Sequence, residues 1–227
     1  TPFAIASLRQ AAGRLVTRHR PRLLAKITGW PRLGFLHAVF PDVRFVHVYR
    51  DGRAFANSLL QVDFWLGWRG PEQWRWGPLD ETSRQEWEQH DRSFVALAGI
   101  QWKLLMRAVE VAKQSIPASN LLEIRYEDFA TRPVEIFRDV ATFCGLDWDN
   151  RFERKLSNYR IENANYKWQR DLSPAQQAEI EQFKRQLIDT RTQLRDVQRN
   201  LRKEIDALGA RLAFINIALV PLLVAIF

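Results

Sequence analysis

The stretch from Arg44 to Ser58 has the residue types and spacing best suited to chemistry. Its first half alternates β-branched and aromatic residues, which predicts a buried strand, and the part after Asp51 has the apolar spacing of a helix. Arg50 thus stands at the carboxyl end of a strand, where open α/β sheets bind ligands. Its guanidinium suits a phosphate, and Ser58, about two turns into the helix, can reach the same anion. Salt bridges around Asp51 are the alternative explanation.

The charge balance of the chain also favours an anionic partner. The formal net charge is +8 and the sequence pI is near 10.0, which suits nucleic acid, an acidic membrane surface or a phosphorylated cofactor. The basic residues are spread out and not gathered in one stripe, so we expect no nucleic-acid partner.

Cys144 is the single cysteine, which excludes an intrachain disulfide and a cysteine-based metal site. We expect no metal.

The elements around this stretch predict an α/β fold with a parallel sheet, because strands and helices alternate along the chain. Strands are expected at 23–28, 44–49 and 121–126. Helices are expected at 3–16, 33–40, 51–62, 83–116 (with a break near Gly99) and 133–144. A sheet of two or three strands is small for this class, and the sequence begins without Met and ends in an apolar run. We therefore expect a piece of a longer protein.

A segment rich in Trp, Gly and Pro, residues 63–80, shows no helical or strand period and predicts a loop. Trp and Arg side chains together can stack on sugars or aromatic rings and engage anions. The loop could therefore face an acceptor substrate. An equally good interpretation is a packed loop that covers the edge of the sheet.

The C-terminal part of the chain has a different character. Apolar residues recur at three- and four-residue steps through 173–210, which predicts a helical stalk or coiled coil with a coiled-coil partner. Residues 211–227 are almost wholly apolar and predict a truncated transmembrane helix, although fewer than the ~20 residues needed for a full span are present. Basic residues just before it indicate a cytoplasmic flank. A buried core helix is the alternative.

Four elements, in this order, resemble sulfotransferases that use 3′-phosphoadenosine 5′-phosphosulfate (PAPS), over residues 23–172. They are Lys26 to Arg32, the motif Arg50-Asp51-Gly52-Arg53 with Ser58, the run Arg125-Tyr126-Glu127-Asp128-Phe129 before Arg132-Pro133, and Tyr166-Lys167-Trp168. The resemblance implies a partial P-loop-NTPase-like domain over 1–172. It also implies transfer of a sulfuryl group from PAPS to a hydroxyl or amine of a small-molecule or glycan acceptor.

The resemblance implies a role for each matching position. Arg50 and Ser58 would bind the 3′-phosphate of PAPS, and Tyr126 would lie near the nucleotide. Lys167 and Trp168 would close over it. Lys26 would be the catalytic residue that stabilises the sulfuryl group during transfer.

Two departures from the family pattern bear on activity. Cytosolic relatives place a catalytic histidine shortly after the lysine, where this chain has Thr28. We expect His37, His47 and His90, which lie elsewhere, to be structural. No Gly-x-x-Gly-Lys loop for the 5′-phosphosulfate occurs in the sequence. We therefore expect the site to be incomplete and cofactor binding to be weak.

Residues 173–227 resemble a second family, the gliding-motility-type ABC transporter auxiliary proteins, in their C-terminal stalk and membrane helix. This resemblance implies an alternative function, a non-enzymatic membrane-anchored subunit of a transporter. It also implies a membrane-associated protein whose soluble domain lies in the cytoplasm.

Overall fold

Helices surround a small parallel sheet in the computed structural model, which describes residues 2–159, 161–182 and 185. The strands are β1 (Phe45–Tyr49) and β2 (Leu121–Arg125). The helices are α1 (Pro2–Gly13), α2 (Leu33–Val39), α3 (Gly52–Leu60), α4 (Glu81–Gln89), α5 (Phe94–Lys113), α6 (Tyr126–Thr131), α7 (Pro133–Phe143), α8 (Asn150–Ser157), α9 (Lys167–Asp171) and α10, which begins at Pro174 and is described through 182.

The two strands lie side by side in parallel, with Phe45 opposite Leu121 and Tyr49 opposite Arg125. A parallel pair needs a long crossover connection, and α3, α4 and α5 form it. Both strands therefore end at the same edge of the sheet, where α3 and α6 begin. The predicted α/β fold with a parallel sheet is confirmed for these two strands.

The core of the protein lies along α5, which packs against α3. Leu97 and Ile100 on this helix are 0% exposed. Ser93 caps its N-terminus, because the Ser93 hydroxyl oxygen accepts hydrogen bonds from the backbone N–H groups of Val95 and Ala96 at 3.1 and 3.4 Å. The buried α5 thus supports the helix that follows β1.

The long helix predicted over residues 83–116 is in fact two helices. Asp91 and Arg92 have φ angles of 51° and 55°, a left-handed conformation that ends α4, and Ser93 then caps α5. The expected break near Gly99 is wrong, since Gly99 is buried inside α5. Residues 90–93 (His-Asp-Arg-Ser) are all polar, and the serine at the end of this stretch is a residue type that favours a helix N-cap, so the local signal that marks the break is present in the sequence.

The strand predicted over residues 23–28 does not form. Residues 21–28 are exposed and have no regular secondary structure, and Leu24 is 97% exposed. A strand needs a neighbour to pair its backbone N–H and C=O groups, and this segment joins no sheet in the described part of the chain. The largely apolar composition of residues 23–28 is therefore a misleading signal.

The burial predicted for the strand at 44–49 is only partial on one face of β1 and absent on the other. Val46 is 37% exposed and Val48 is 54% exposed. Their face is uncovered among the residues that the structure describes, whereas the side chains of Phe45, His47 and Tyr49 on the other face are partly covered.

Two tryptophans of the Trp-rich segment are packed inside the protein, although many of its other residues are exposed. Trp65 and Trp74 are 4% and 3% exposed, and their indole N–H groups donate to the Gln101 side chain at 2.7 Å and to the Gly77 carbonyl at 2.6 Å. Trp68, by contrast, is 56% exposed. Trp65 therefore packs against α5 and Trp74 within its own segment, whereas Trp68 faces solvent; whether the segment covers the edge of the sheet or faces an acceptor stays a prediction.

The C-terminal predictions concern residues that the structure largely leaves out. The helical start of the 173–210 stalk is present as α10, and the rest of the stalk lies outside the described residues, apart from 185. The apolar run 211–227 lies wholly outside them. Within the described ranges, no helix is long and apolar enough to cross a membrane. The transporter-subunit alternative, the coiled-coil partner and the cytoplasmic placement stay predictions from the sequence.

A charged network spans the sheet beside α5. Glu123 on β2 accepts a hydrogen bond from His47, its direct neighbour on β1, at 3.1 Å. It also accepts one from Lys113 at 2.7 Å. The hydrogen bond from His47, then that from Lys113, lower the pKa of Glu123 to about 2, although partial burial opposes this.

This network predicts a pH-dependent part of the stability. The pKa of Glu123 is lower in the folded protein than its ordinary value of 4.5. The network therefore stabilises the fold above that value and loses its effect as the pH falls towards about 2. Because the Glu123 side chain is 38% exposed, we expect Glu123→Gln to lower the free energy of unfolding by only ~1 kcal/mol at pH 7.

Urea unfolding of Glu123→Gln and the wild-type protein at several pH values measures this difference. We expect it to shrink between pH 4.5 and pH 2.5. The matched control is Glu135→Gln, since Glu135 is 63% exposed. A difference between wild type and Glu123→Gln that is the same at pH 7 and pH 2.5 would contradict the prediction.

Candidate anion-binding site

The chain passes directly from β1 into α3 at the carboxyl edge of the sheet. Asp51 caps α3, because its carboxylate accepts a hydrogen bond from the Arg53 backbone N–H at 3.0 Å. Gly52 follows in close contact with α5, and a Cβ at this position would lie only 2.5 Å from the Trp102 ring. Only glycine fits here, and the start of α3 is held close to the core.

Arg50 leaves β1 at this edge and is surrounded by three side chains. Its Nε donates to the Asn165 side-chain oxygen at 2.5 Å. Its Nη1 lies 3.4 Å from the Ser58 hydroxyl oxygen, and its guanidinium lies 4.7 Å from the centre of the Tyr126 ring. The structure thus brings together three of the predicted site residues, Arg50, Ser58 and Tyr126.

The geometry leaves one side of this cluster open. Ser58 is exposed, and within the described ranges Arg50 has no carboxylate partner. A guanidinium carries five N–H donors, so Nη1 and Nη2 can donate to an anion beside the Ser58 hydroxyl. A phosphate matches this arrangement, because it accepts several charge-assisted hydrogen bonds at once.

Arg53, the second arginine of the motif, is already paired within the protein. Its Nε and Nη2 donate to the two Asp51 carboxylate oxygens, each at 2.9 Å, and its Nη1 donates to Glu181. The hydrogen bond to Asp51 is the main reason why the pKa of Arg53 is raised above its ordinary value. Arg50, with no carboxylate of its own, is therefore the arginine available to an external anion.

The predicted residues Lys167 and Trp168 lie on α9, which packs against α3. Asp171 of α9 accepts a hydrogen bond from the Asn57 amide of α3 at 3.0 Å. Trp168 is 5% exposed, and the Arg53 guanidinium lies 4.7 Å from the centre of its ring. Lys167 lies 3.2 Å from Glu162 and is 42% exposed. Both residues are near the motif, and their roles towards a nucleotide stay predictions.

Lys26 is not part of this cluster. It lies in the exposed segment 21–28, and it makes no hydrogen bond or ion pair with any other residue in the described part of the chain. Its predicted role in stabilising a sulfuryl group stays a prediction.

Sequence reasoning missed two residues of the site, Asn165 and Glu127. Asn165 is 6% exposed and contacts Arg50 from 115 positions along the chain. Glu127 accepts hydrogen bonds from the Asp51 backbone N–H at 3.0 Å and from the Asn165 amide. Glu127 lies within a segment that carries the family resemblance and Asn165 directly precedes another, but only their three-dimensional contacts show what they do.

Comparison with known proteins gives one family. A model of the sulfotransferase family matches residues 4–150, more than half of the chain. The match includes Lys26, Arg50, Ser58 and Tyr126, whereas Lys167 and Trp168 lie beyond it. No curated protein sequence matches the chain.

The fold is similar to a solved structure, the sulfotransferase domain from the curacin biosynthetic pathway. The sequence identity is 13% and the TM-score is 0.47. The similarity covers 77% of this chain and 66% of that domain, so the chain spans slightly less than two thirds of its length.

Proposed function

The chain belongs to the sulfotransferase family, and from this membership we propose that it takes part in the transfer of a sulfuryl group from PAPS to a hydroxyl or amine. The acceptor would be a small molecule or a glycan. The observation that carries the proposal is the meeting of Arg50, Ser58 and Tyr126 at the carboxyl edge of the sheet.

The described residues fit the 3′-phosphate of PAPS. Arg50 Nη1 and the Ser58 hydroxyl oxygen lie 3.4 Å apart, so one anion could contact both groups, and the helix that begins at Gly52 adds the positive end of its dipole. The Tyr126 ring holds the guanidinium from one side. These groups would bind and orient the nucleotide end of the donor.

Transfer of the sulfuryl group requires residues beyond those that bind the 3′-phosphate. When bound, PAPS supplies a sulfuryl group attached to a phosphate leaving group. We propose that Lys26 stabilises charge on the sulfuryl oxygens, which would require the segment 21–28 to approach the nucleotide. Lys167 and Trp168 would cover the nucleotide from α9.

Ligand binding tests the proposal without requiring activity. We expect the 227-residue protein to bind adenosine 3′,5′-bisphosphate about tenfold or more tightly than adenosine 2′,5′-bisphosphate, measured by isothermal titration calorimetry. The two ligands have the same charge and differ only in the position of one phosphate. Equal affinity for the two isomers, or no binding of either at millimolar concentration, would overturn the proposal.

A further inference from the structure

We propose that Asn165, held in place by Glu127, is a positioning residue that aims the Arg50 guanidinium at the 3′-phosphate and thereby sets the preference for 3′-phosphorylated nucleotides. The inference rests on the proposed function and deepens it. It comes from a continuous chain of hydrogen bonds that joins the backbone of Asp51 to Glu127, Asn165 and finally Arg50.

The orientation of the Asn165 amide follows from its two partners. Its nitrogen donates to Glu127 Oε1, and its oxygen accepts from Arg50 Nε at 2.5 Å. A carboxylate only accepts hydrogen bonds and a guanidinium only donates them, so the reversed amide would satisfy neither partner. The backbone N–H of Asn165 also donates to the Asn163 side chain at 3.2 Å. Buried and bonded on both sides, the amide has one stable orientation.

Glu127 anchors this chain of hydrogen bonds to the motif itself. The same oxygen, Oε1, accepts from the Asp51 backbone N–H at 3.0 Å. Glu127 thus links the start of α6 to the turn between β1 and α3, and Asn165 links both to the segment before α9. Arg125 lies 3.7 Å from the second carboxylate oxygen and compensates part of its charge.

The contact with Asn165 determines which donors of Arg50 remain for a ligand. Nε is occupied by the amide, and the Tyr126 ring lies beside the guanidinium at 4.7 Å. Together these contacts set the plane of the guanidinium and direct Nη1 towards Ser58. Without Asn165 the long Arg50 side chain would have to be ordered when the ligand binds, which weakens affinity.

Removal of the Asn165 amide tests the inference. In Asn165→Ala we expect binding of adenosine 3′,5′-bisphosphate to weaken about tenfold, while binding of the 2′,5′ isomer stays as in the wild type. The matched control is Asn158→Ala, because Asn158 is an exposed asparagine at the end of α8. In the Arg50→Ala background, Asn165→Ala should cause no further loss. Calorimetry on the full chain measures each affinity.

Two Glu127 variants give an independent test if Asn165→Ala does not fold. Glu127→Gln keeps a side-chain oxygen that can accept both hydrogen bonds, so its preference for the 3′,5′ isomer should match the wild type. Glu127→Ala should lose the preference about as much as Asn165→Ala. Wild-type selectivity in Glu127→Ala would overturn the inference.

The outcomes distinguish a failure of the positioning role of Asn165 from a failure of the proposed function on which it rests. A wild-type protein that does not distinguish the two isomers would refute the proposed 3′-phosphate site itself. If the wild type is selective and Asn165→Ala keeps that selectivity, only the positioning role is refuted. Equal weakening of both isomers in Asn165→Ala would also refute it, because that pattern indicates a general structural effect.

Discussion

Replacement of Arg50 with alanine should weaken binding of adenosine 3′,5′-bisphosphate by about 100-fold, the effect of losing charge-assisted hydrogen bonds worth ~3 kcal/mol. Arg50 is the arginine of the motif that has no carboxylate partner among the described residues. Arg53, three positions later, is paired with Asp51 and Glu181. The loss should therefore appear in ligand affinity.

A lysine at position 50 separates charge from geometry. Lysine keeps the positive charge, but a single ammonium cannot contact the Asn165 oxygen and present a two-pronged donor to a phosphate. We expect Arg50→Lys to bind adenosine 3′,5′-bisphosphate about tenfold more weakly than the wild type, between the wild type and Arg50→Ala.

The matched control for these variants is Arg138→Ala. Arg138 is 54% exposed on α7 and pairs with Glu153, away from the candidate site. Calorimetry should give it the affinity of the wild type. An Arg50→Ala protein that binds the ligand within threefold of the wild type would remove Arg50 from the site.

The largest expected effect on stability comes from a buried ion pair between α4 and α5. Lys103 on α5 donates to Glu86 on α4, and their side chains are 6% and 11% exposed. Burial lowers the pKa of Lys103, and the hydrogen bond to Glu86 opposes that shift. In Lys103→Met the Glu86 carboxylate would remain buried without its partner, so we expect the free energy of unfolding to fall by ~3–5 kcal/mol.

The double variant Lys103→Met/Glu86→Leu shows which effect destabilises Lys103→Met. The destabilisation could come from losing the attraction between the two charges or from leaving the Glu86 carboxylate buried without a partner. Replacement of both charges with apolar groups of similar size is often neutral or stabilising, so the double variant should recover most of the loss. Urea unfolding at pH 7, followed by circular dichroism, measures each variant. Lys155→Met, at an exposed lysine on α8, is the control. A double variant no more stable than Lys103→Met would contradict the explanation.

Some features of the fold differ from the prediction, because they depend on tertiary contacts or on backbone conformations that the residue types do not specify. Residues 23–28 have the composition of a strand but no described neighbour to pair with. The single helix predicted over residues 83–116 is divided into α4 and α5, because Asp91 and Arg92 adopt left-handed conformations between them. Non-glycine residues seldom adopt this conformation, so the residue types at 91 and 92 do not predict it, whereas the N-cap residue Ser93 does mark the start of α5.

By itself, the sequence determined the strand and the helix that carry the motif of the candidate site. The alternation before Arg50 and the helical spacing after Asp51 predicted β1 and α3, and the motif that they carry indicated the family. These are short-range properties, set by side-chain period and helix capping within about fifteen residues.

The tertiary structure alone decided which side chains surround Arg50. Tyr126 lies beside Arg50 because β2 pairs with β1 in parallel, so that both strands end at one edge of the sheet. Asn165 contacts Arg50 because α9 and the turn before it pack against α3. Such partners are separated by up to 115 positions, and no periodic pattern in a chain encodes contacts at that distance, since they depend on how the packed elements meet.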